Sequence, residues 1–171
     1  MSDAPGKDGR AVDARFVENP LPVAAAIGTA LALMHSQAAP AGLEARTPVE
    51  IDQAREIVSS GGDLPYPYSR SSREALLAAL DSRPERSSDV YTHGAPVVRA
   101  ALIDGPVVTF ESMGVEGVDP PERDLAIAIR SVAETFTGEV AGTLLDSYVT
   151  AGGQTPYGPA IDWYGMLAAF R

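Results

Sequence analysis

The stretch Val97-Val98-Arg99-Ala100-Ala101-Leu102-Ile103-Asp104-Gly105-Pro106-Val107-Val108-Thr109-Phe110-Glu111-Ser112 decides the fold class. Two apolar runs flank Asp104-Gly105-Pro106, and Asp-Gly between such runs signals a β-hairpin, because both residues tolerate the positive φ of a tight reversal. Val97–Ile103 and Val107–Ser112 are therefore read as antiparallel strands with Leu102 opposite Val107. Pro106 has no N–H to close a two-residue turn, so a four-residue connection over Ile103 to Pro106 fits equally well. Upstream, Ser88–His93 reads as a third strand, joined through Gly94-Ala95-Pro96 with His93 opposite Val97, and Arg15-Phe16-Val17 is a candidate fourth. The expected class is α+β: an antiparallel β-meander of three or four strands packed against five to six α-helices.

The helices announce themselves by their caps. Asn19 before Pro20 opens a nearly all-apolar segment from Leu21 to Ser36, which should lie at the centre of the fold. Thr47-Pro48-Val49-Glu50, Ser71-Ser72-Arg73-Glu74 and Asp119-Pro120-Pro121-Glu122 each have the form of a capping box, in which an N-cap side chain and a Glu three residues on satisfy free backbone amides. The first of these helices should stop at Gly61-Gly62, the second before Pro84 and the third at Gly138. Leu125, Ile129, Val132 and Phe136 mark the buried face of the third. Val140, Leu144 and Tyr148 predict a further helix over Glu139–Thr150, weakened by Gly142 so that a strand stays open there, and a last helix spans Pro159–Phe170.

Composition excludes several function classes. With 171 residues the chain suits one domain, read here as a flexible tail over 1–12 and a single α+β domain over 13–171. Thirteen basic against 23 acidic residues give a net charge of −10. The basic residues are scattered, so no footprint for nucleic acid or an anionic membrane is present. There is no cysteine and only His35 and His93, which removes disulfides and thiol nucleophiles and argues against a structural metal. The uncharged run Leu21–Met34 is too short for a membrane span, and the charged segment before it does not resemble a secretion signal, so a buried helix in a cytoplasmic protein is expected.

Candidate chemistry rests on strand alternation. The expected pairings place Tyr91, His93, Arg99, Phe110 and Ser112 on one sheet face, leaving Val90, Thr92, Val98, Ala100, Leu102, Val107, Thr109 and Glu111 to receive the helices. On that first face Arg99 could hold an anionic group, His93 could move a proton near neutral pH, and Tyr91 or Ser112 could donate a hydrogen bond. The same residues also suit ordinary cross-strand packing of an Arg stem on aromatic rings. His35, at the end of its helix, is expected to interact with C-terminal carbonyls. Glu111, Glu116, Asp119, Glu122 and Asp124 form an acidic cluster, but Asp119 and Glu122 already have a capping role. Two Tyr/Pro loops, Gly61–Ser69 with Tyr66 and Tyr68 and Gly152–Pro159 with Tyr157, have the composition of partner-binding loops.

No Gly-x-Ser-x-Gly elbow, Walker-type loop or dinucleotide-binding glycine pattern occurs. The first expectation is therefore a non-catalytic binding or assembly module, contacting a protein partner or a second copy of itself through the Tyr/Pro loops and one sheet face, with no cofactor and no metal. The alternative is a small-molecule enzyme or ligand-binding protein with His93 as acid/base and Arg99 as anchor for an anionic ligand. A third reading, from charge alone, is an acidic inhibitor or immunity-like protein that masks a basic partner.

Overall fold

The computed structural model describes residues 12–13, 18–84, 88–104 and 107–171. The described residues form an α+β fold of six helices and small antiparallel sheets. In chain order the elements are β1 (Val12–Asp13), α1 (Pro20–His35), α2 (Thr47–Ser59), α3 (Arg73–Asp81), β2 (Val90–Thr92), β3 (Ala101–Asp104), β4 (Val107–Phe110), β5 (Gly117–Asp119), α4 (Glu122–Thr135), α5 (Gly138–Thr150) and α6 (Gly158–Leu167). The expected strand over Arg15-Phe16-Val17, most of the tail over 1–12 and the Gly105-Pro106 turn lie outside the described residues.

The helix starts follow local chemistry where the cap is short-range. Asn19 Oδ1 accepts the Leu21 N–H at 3.3 Å ahead of Pro20, Ser72 caps α3, and Thr137 caps α5. None of the three expected capping boxes is formed, since α3 is capped by Ser72, one residue after the expected Ser71. The N-cap positions of α2 and α4 are Arg46 and Pro121, neither with a side-chain bond, because Asp119 is used elsewhere in the fold. The segment left open over Glu139–Thr150 is helical, with Val140, Leu144 and Tyr148 buried.

The antiparallel character of the sheets is as expected, but the pairing differs. β3 pairs with β4 with Asp104 opposite Val107 and Leu102 opposite Thr109, two residues from the expected register. β2 does not join them: it pairs with β5, Tyr91 opposite Val118, in a separate two-stranded sheet. Between β2 and β3 the chain makes a 3₁₀ turn over Val98–Ala100 instead of extending. The inward face is also the other one. Ala101, Ile103 and Val108 are buried with Phe110 packed on them, whereas Val107 is 55% exposed. A two-residue shift preserves the alternation, and both faces are apolar enough that the period of two alone could not say which faces the helices.

Two apolar clusters share α4. One joins α1, α4 and α5 to β3 and β4 through Ile27, Leu31, Leu125, Val132, Leu144 and Tyr148. The other sets α2, α3 and α6 against Ala126 through Val58, Leu80, Trp163 and Leu167. α1 and α5 approach so closely that a Cβ on Gly28 would lie 2.1 Å from the Leu144 carbonyl oxygen. That contact seats the apolar α1 at the centre of the fold and puts His35 at its buried end.

Candidate functional site

The first turn of α4 is Glu122-Arg123-Asp124, three charged residues that are all buried. Buried charges require partners, and these find them far away in sequence. Asp124 accepts the His93 N–H at 2.7 Å and the Gly94 N–H at 2.8 Å, one on each carboxylate oxygen. His35 approaches the same carboxylate through Nε2 at 3.3 Å and meets the Tyr148 hydroxyl through Nδ1 at 2.9 Å. The Nε2–H tautomer satisfies both contacts, donating to Asp124 and accepting from Tyr148. Burial alone pushes the Asp124 carboxyl up, but the His35 hydrogen bond, the neighbouring Arg123 guanidinium and the Gly94 N–H outweigh it and hold the group below its ordinary value. His35 is thus a buried brace across three helices, not a cap on its own helix as expected.

The loop held this way runs from His93 to Ala100. His93 is buried, and its imidazole is engaged at both nitrogens: Nε2 donates to the Glu111 carbonyl at 2.9 Å and Nδ1 accepts the Ala95 N–H at 3.3 Å. The ring also lies 5.2 Å from that of Phe110. Gly94 takes φ +85°, and a Cβ there would sit 2.1 Å from the Val115 carbonyl oxygen, so only glycine fits. Ala100 accepts the Glu111 N–H at 2.9 Å and thereby extends the β3–β4 ladder toward the loop. These bonds gather Ala95, Ala100 and the segment after β4 around one short stretch of backbone.

Below the loop lies an ionic lattice. Arg123 donates to Glu50 at 2.5 and 3.2 Å, and Arg171 donates to Glu50 and, at 2.6 Å, to the Gly94 carbonyl. Asp119, fully buried, accepts the Arg46 N–H, the Thr47 N–H and the Thr47 hydroxyl at 3.0, 3.0 and 2.6 Å. It therefore caps α2, not the α4 that follows it. On the rim, Ser112 donates to Glu116 at 2.5 Å, and that hydrogen bond keeps the Glu116 carboxyl below its ordinary value. Among the described residues no group of three or more His, Cys, Asp and Glu is placed to hold a metal ion.

The expected site face is divided. His93 and Phe110 touch, and Ser112, two residues on, bonds Glu116. Tyr91 belongs to the other sheet, and Arg99 is exposed in the 3₁₀ turn. Phe110 also lines a cavity of about 360 Å³ between α1 and β4, together with Ala30, Leu33, Met34 and Val108. That volume is in the range of small-molecule pockets. Of the loop tyrosines, Tyr66 and Tyr157 are exposed, at 82% and 54%, whereas Tyr68 stacks on Phe170 with ring centres 5.9 Å apart.

No protein-family model and no curated protein sequence matches the chain. Solved structures do. An aminoglycoside-3'-phosphotransferase of type VIII superimposes with a TM-score of 0.77 at 24% identity, over 99% of this chain and 67% of that one. The chain shares the fold of that enzyme over the part it spans. An aminoglycoside phosphotransferase from Streptomyces rimosus gives 0.75 at 18% identity, over 93% of this chain and 66% of that one. A choline/ethanolamine kinase family protein from Mesorhizobium loti gives 0.64 at 20% identity, over 86% and 49%. The chain thus spans about two thirds of the aminoglycoside enzymes and half of the choline-kinase relative. This likeness overturns the expectation of a protein-interaction or assembly module, because its structural relatives are enzymes acting on small molecules. No helix among the described residues is long and apolar enough to cross a membrane.

Proposed function

We propose that this protein binds a small, amine-bearing molecule on a phosphotransferase fold, at the surface shared by the His93–Ala100 loop and the cavity beside Phe110. The observation that carries this reading is the superposition over 99% of the chain on a small-molecule phosphotransferase. Aminoglycosides, choline and ethanolamine, the compounds in the names of the relatives, have cationic nitrogen in common. The chain offers cations a matching field: a net charge of −10, and on the loop rim Glu111 and Glu116, the latter held in its ionised form by Ser112. The cavity supplies an apolar wall for the carbon framework.

Thermal unfolding in the presence of streptomycin, choline, ethanolamine and a neutral sugar tests this. One of the amines should raise Tm in a saturable way that weakens with salt, and Glu116→Gln should reduce the shift. Equal stabilisation by the neutral sugar, or no saturable response to any amine, refutes it.

A further inference from the structure

The phosphotransferase fold implies a magnesium-bound nucleotide, and the residues at the loop can be tested against that requirement. Kinase-type phosphoryl transfer uses a loop of the form His-x-Asp-x-x-x-x-Asn, in which the Asp takes the proton of the attacking hydroxyl and the Asn holds a metal ion. A second metal-binding Asp heads a three-residue segment that ends in glycine. In this chain the loop begins at His93, and the residues two and seven positions on are Ala95 and Ala100. β4 runs out into Ser112-Met113-Gly114, with Gly114 at φ +69° in the glycine position and Ser112 where the carboxylate would stand. The three positions converge in the fold. His93 bonds both the Ala95 N–H and the Glu111 carbonyl, and the Glu111 N–H bonds Ala100.

We infer that this loop keeps the frame of a phosphotransferase site but lacks its proton acceptor and its metal ligands, so that magnesium-dependent phosphoryl transfer is not an activity of these residues. Two methyl groups and a hydroxyl can neither take a proton from an alcohol near neutral pH nor bind a hard divalent cation as carboxylates do. The nearby carboxylates do not replace them. Glu116 already accepts the Ser112 hydroxyl, and Glu111 lies on the exposed rim. Without bound magnesium these same groups repel a polyphosphate, while they still attract a cation. The frame itself is held, since Asp124 takes the His93 and Gly94 N–H groups and His93 donates to the Glu111 carbonyl.

The inference rests on the phosphotransferase-fold reading but is tested apart from amine binding. Mn²⁺ serves as the probe, followed by electron paramagnetic resonance on the full chain. The unmodified protein should leave Mn²⁺ free at millimolar concentration and transfer no phosphate from ATP to streptomycin, choline or ethanolamine. The double variant Ala100→Asn/Ser112→Asp, which restores both metal-ligand positions, should tighten Mn²⁺ binding by about tenfold or more. Should that variant fail to fold, Ser112→Asp alone, at an exposed position, should give a smaller gain of the same sign. Magnesium-dependent transfer by the unmodified chain, or a folded variant without any gain in Mn²⁺ binding, overturns the inference. Loss of the amine response alone refutes the proposed ligand and leaves this inference standing.

Discussion

Asp124→Asn is the substitution that most directly tests how the loop is held. The side chain is fully buried and preserves shape, so the change acts through charge and donor pattern alone. In the native protein one carboxylate oxygen takes the Gly94 N–H and the other the His93 N–H, with His35 close to the latter. An amide can serve only one of those oxygen positions, and its NH₂ then faces an N–H donor. A hydrogen bond to a charged acceptor contributes about 1.5–3 kcal/mol, and a buried donor left without a partner costs about 1–3 kcal/mol. Loss of the charge opposite His35 and Arg123 brings the expected destabilisation to about 3–5 kcal/mol, the range for breaking a buried charged pair. In urea this lowers the midpoint by about 2 M for a domain with a slope near 2 kcal/mol/M. Hydrogen exchange of the His93 and Gly94 amides should accelerate by more than that of the α5 amides. An unchanged midpoint together with unchanged protection at those two amides would refute the proposed clasp. The pH dependence has a fixed sign. The Asp124 value is depressed in the folded state, so its contribution is present above the ordinary carboxyl value and is lost as pH falls through the lower folded one.

Three further outcomes follow from other parts of the same framework. Tyr148, with its phenol pushed up to about 12 by burial and by the nearby Glu122 and Asp124 charges, favours folding below pH 10 and loses that contribution as pH rises toward 12; ultraviolet titration should show a late phenol transition that shrinks in Tyr148→Phe, and an unchanged curve in that variant would contradict it. Gly28→Ala must push α1 from α5, because its Cβ would lie 2.1 Å from the Leu144 carbonyl oxygen, and should cost about 1–3 kcal/mol by thermal unfolding; a neutral result would deny the close approach. Asp119→Ala removes the cap of α2 and strands the part-buried Arg46 and buried Thr47 donors, for a loss of about 2–3 kcal/mol; if exchange quickens at the start of α4 instead of α2, the long-range cap is wrong.

What the sequence disclosed and what it hid divide by range. The Asn19-Pro20 start of α1, the Val140/Leu144/Tyr148 stripe of α5 and the antiparallel pair about Asp104 were legible because each is written within a few residues. Asp119 misled for the same reason. Its position ahead of Glu122 has the form of a local cap, yet its bonds go to Thr47, 72 residues away. β5 is only Gly117-Val118-Asp119, too short to show alternation, so β2 was assigned to its sequence neighbour instead of its true partner. The same limit hid the site. Asp124 reaches His93 and His35 across 31 and 89 residues, and nothing local distinguishes it from the other carboxylates of the acidic cluster. Ala95 and Ala100 gave no signal, because the chemistry they bear on is defined by the fold, and an alanine invites no functional reading alone.

The clasp also separates the frame of the loop from any reaction at it, and that separation predicts opposite behaviour at adjacent positions. Asp124 binds backbone N–H groups, so it is indifferent to the side chain at position 95, which is only half-buried. Gly94 has no such freedom, at φ +85° with the Val115 carbonyl where a Cβ would go. Gly94→Ala therefore carries both left-handed strain and a steric clash, together about 2–4 kcal/mol, and should lower Tm by several degrees. Ala95→Asp should leave Tm within about 2 °C of the parent, the range for a tolerated surface change. Equal losses from the two variants would mean that the side chain at position 95 is itself part of what holds the loop. The alanine there would then be a packing requirement, and installing a carboxylate could not be read as restoring a missing chemical group.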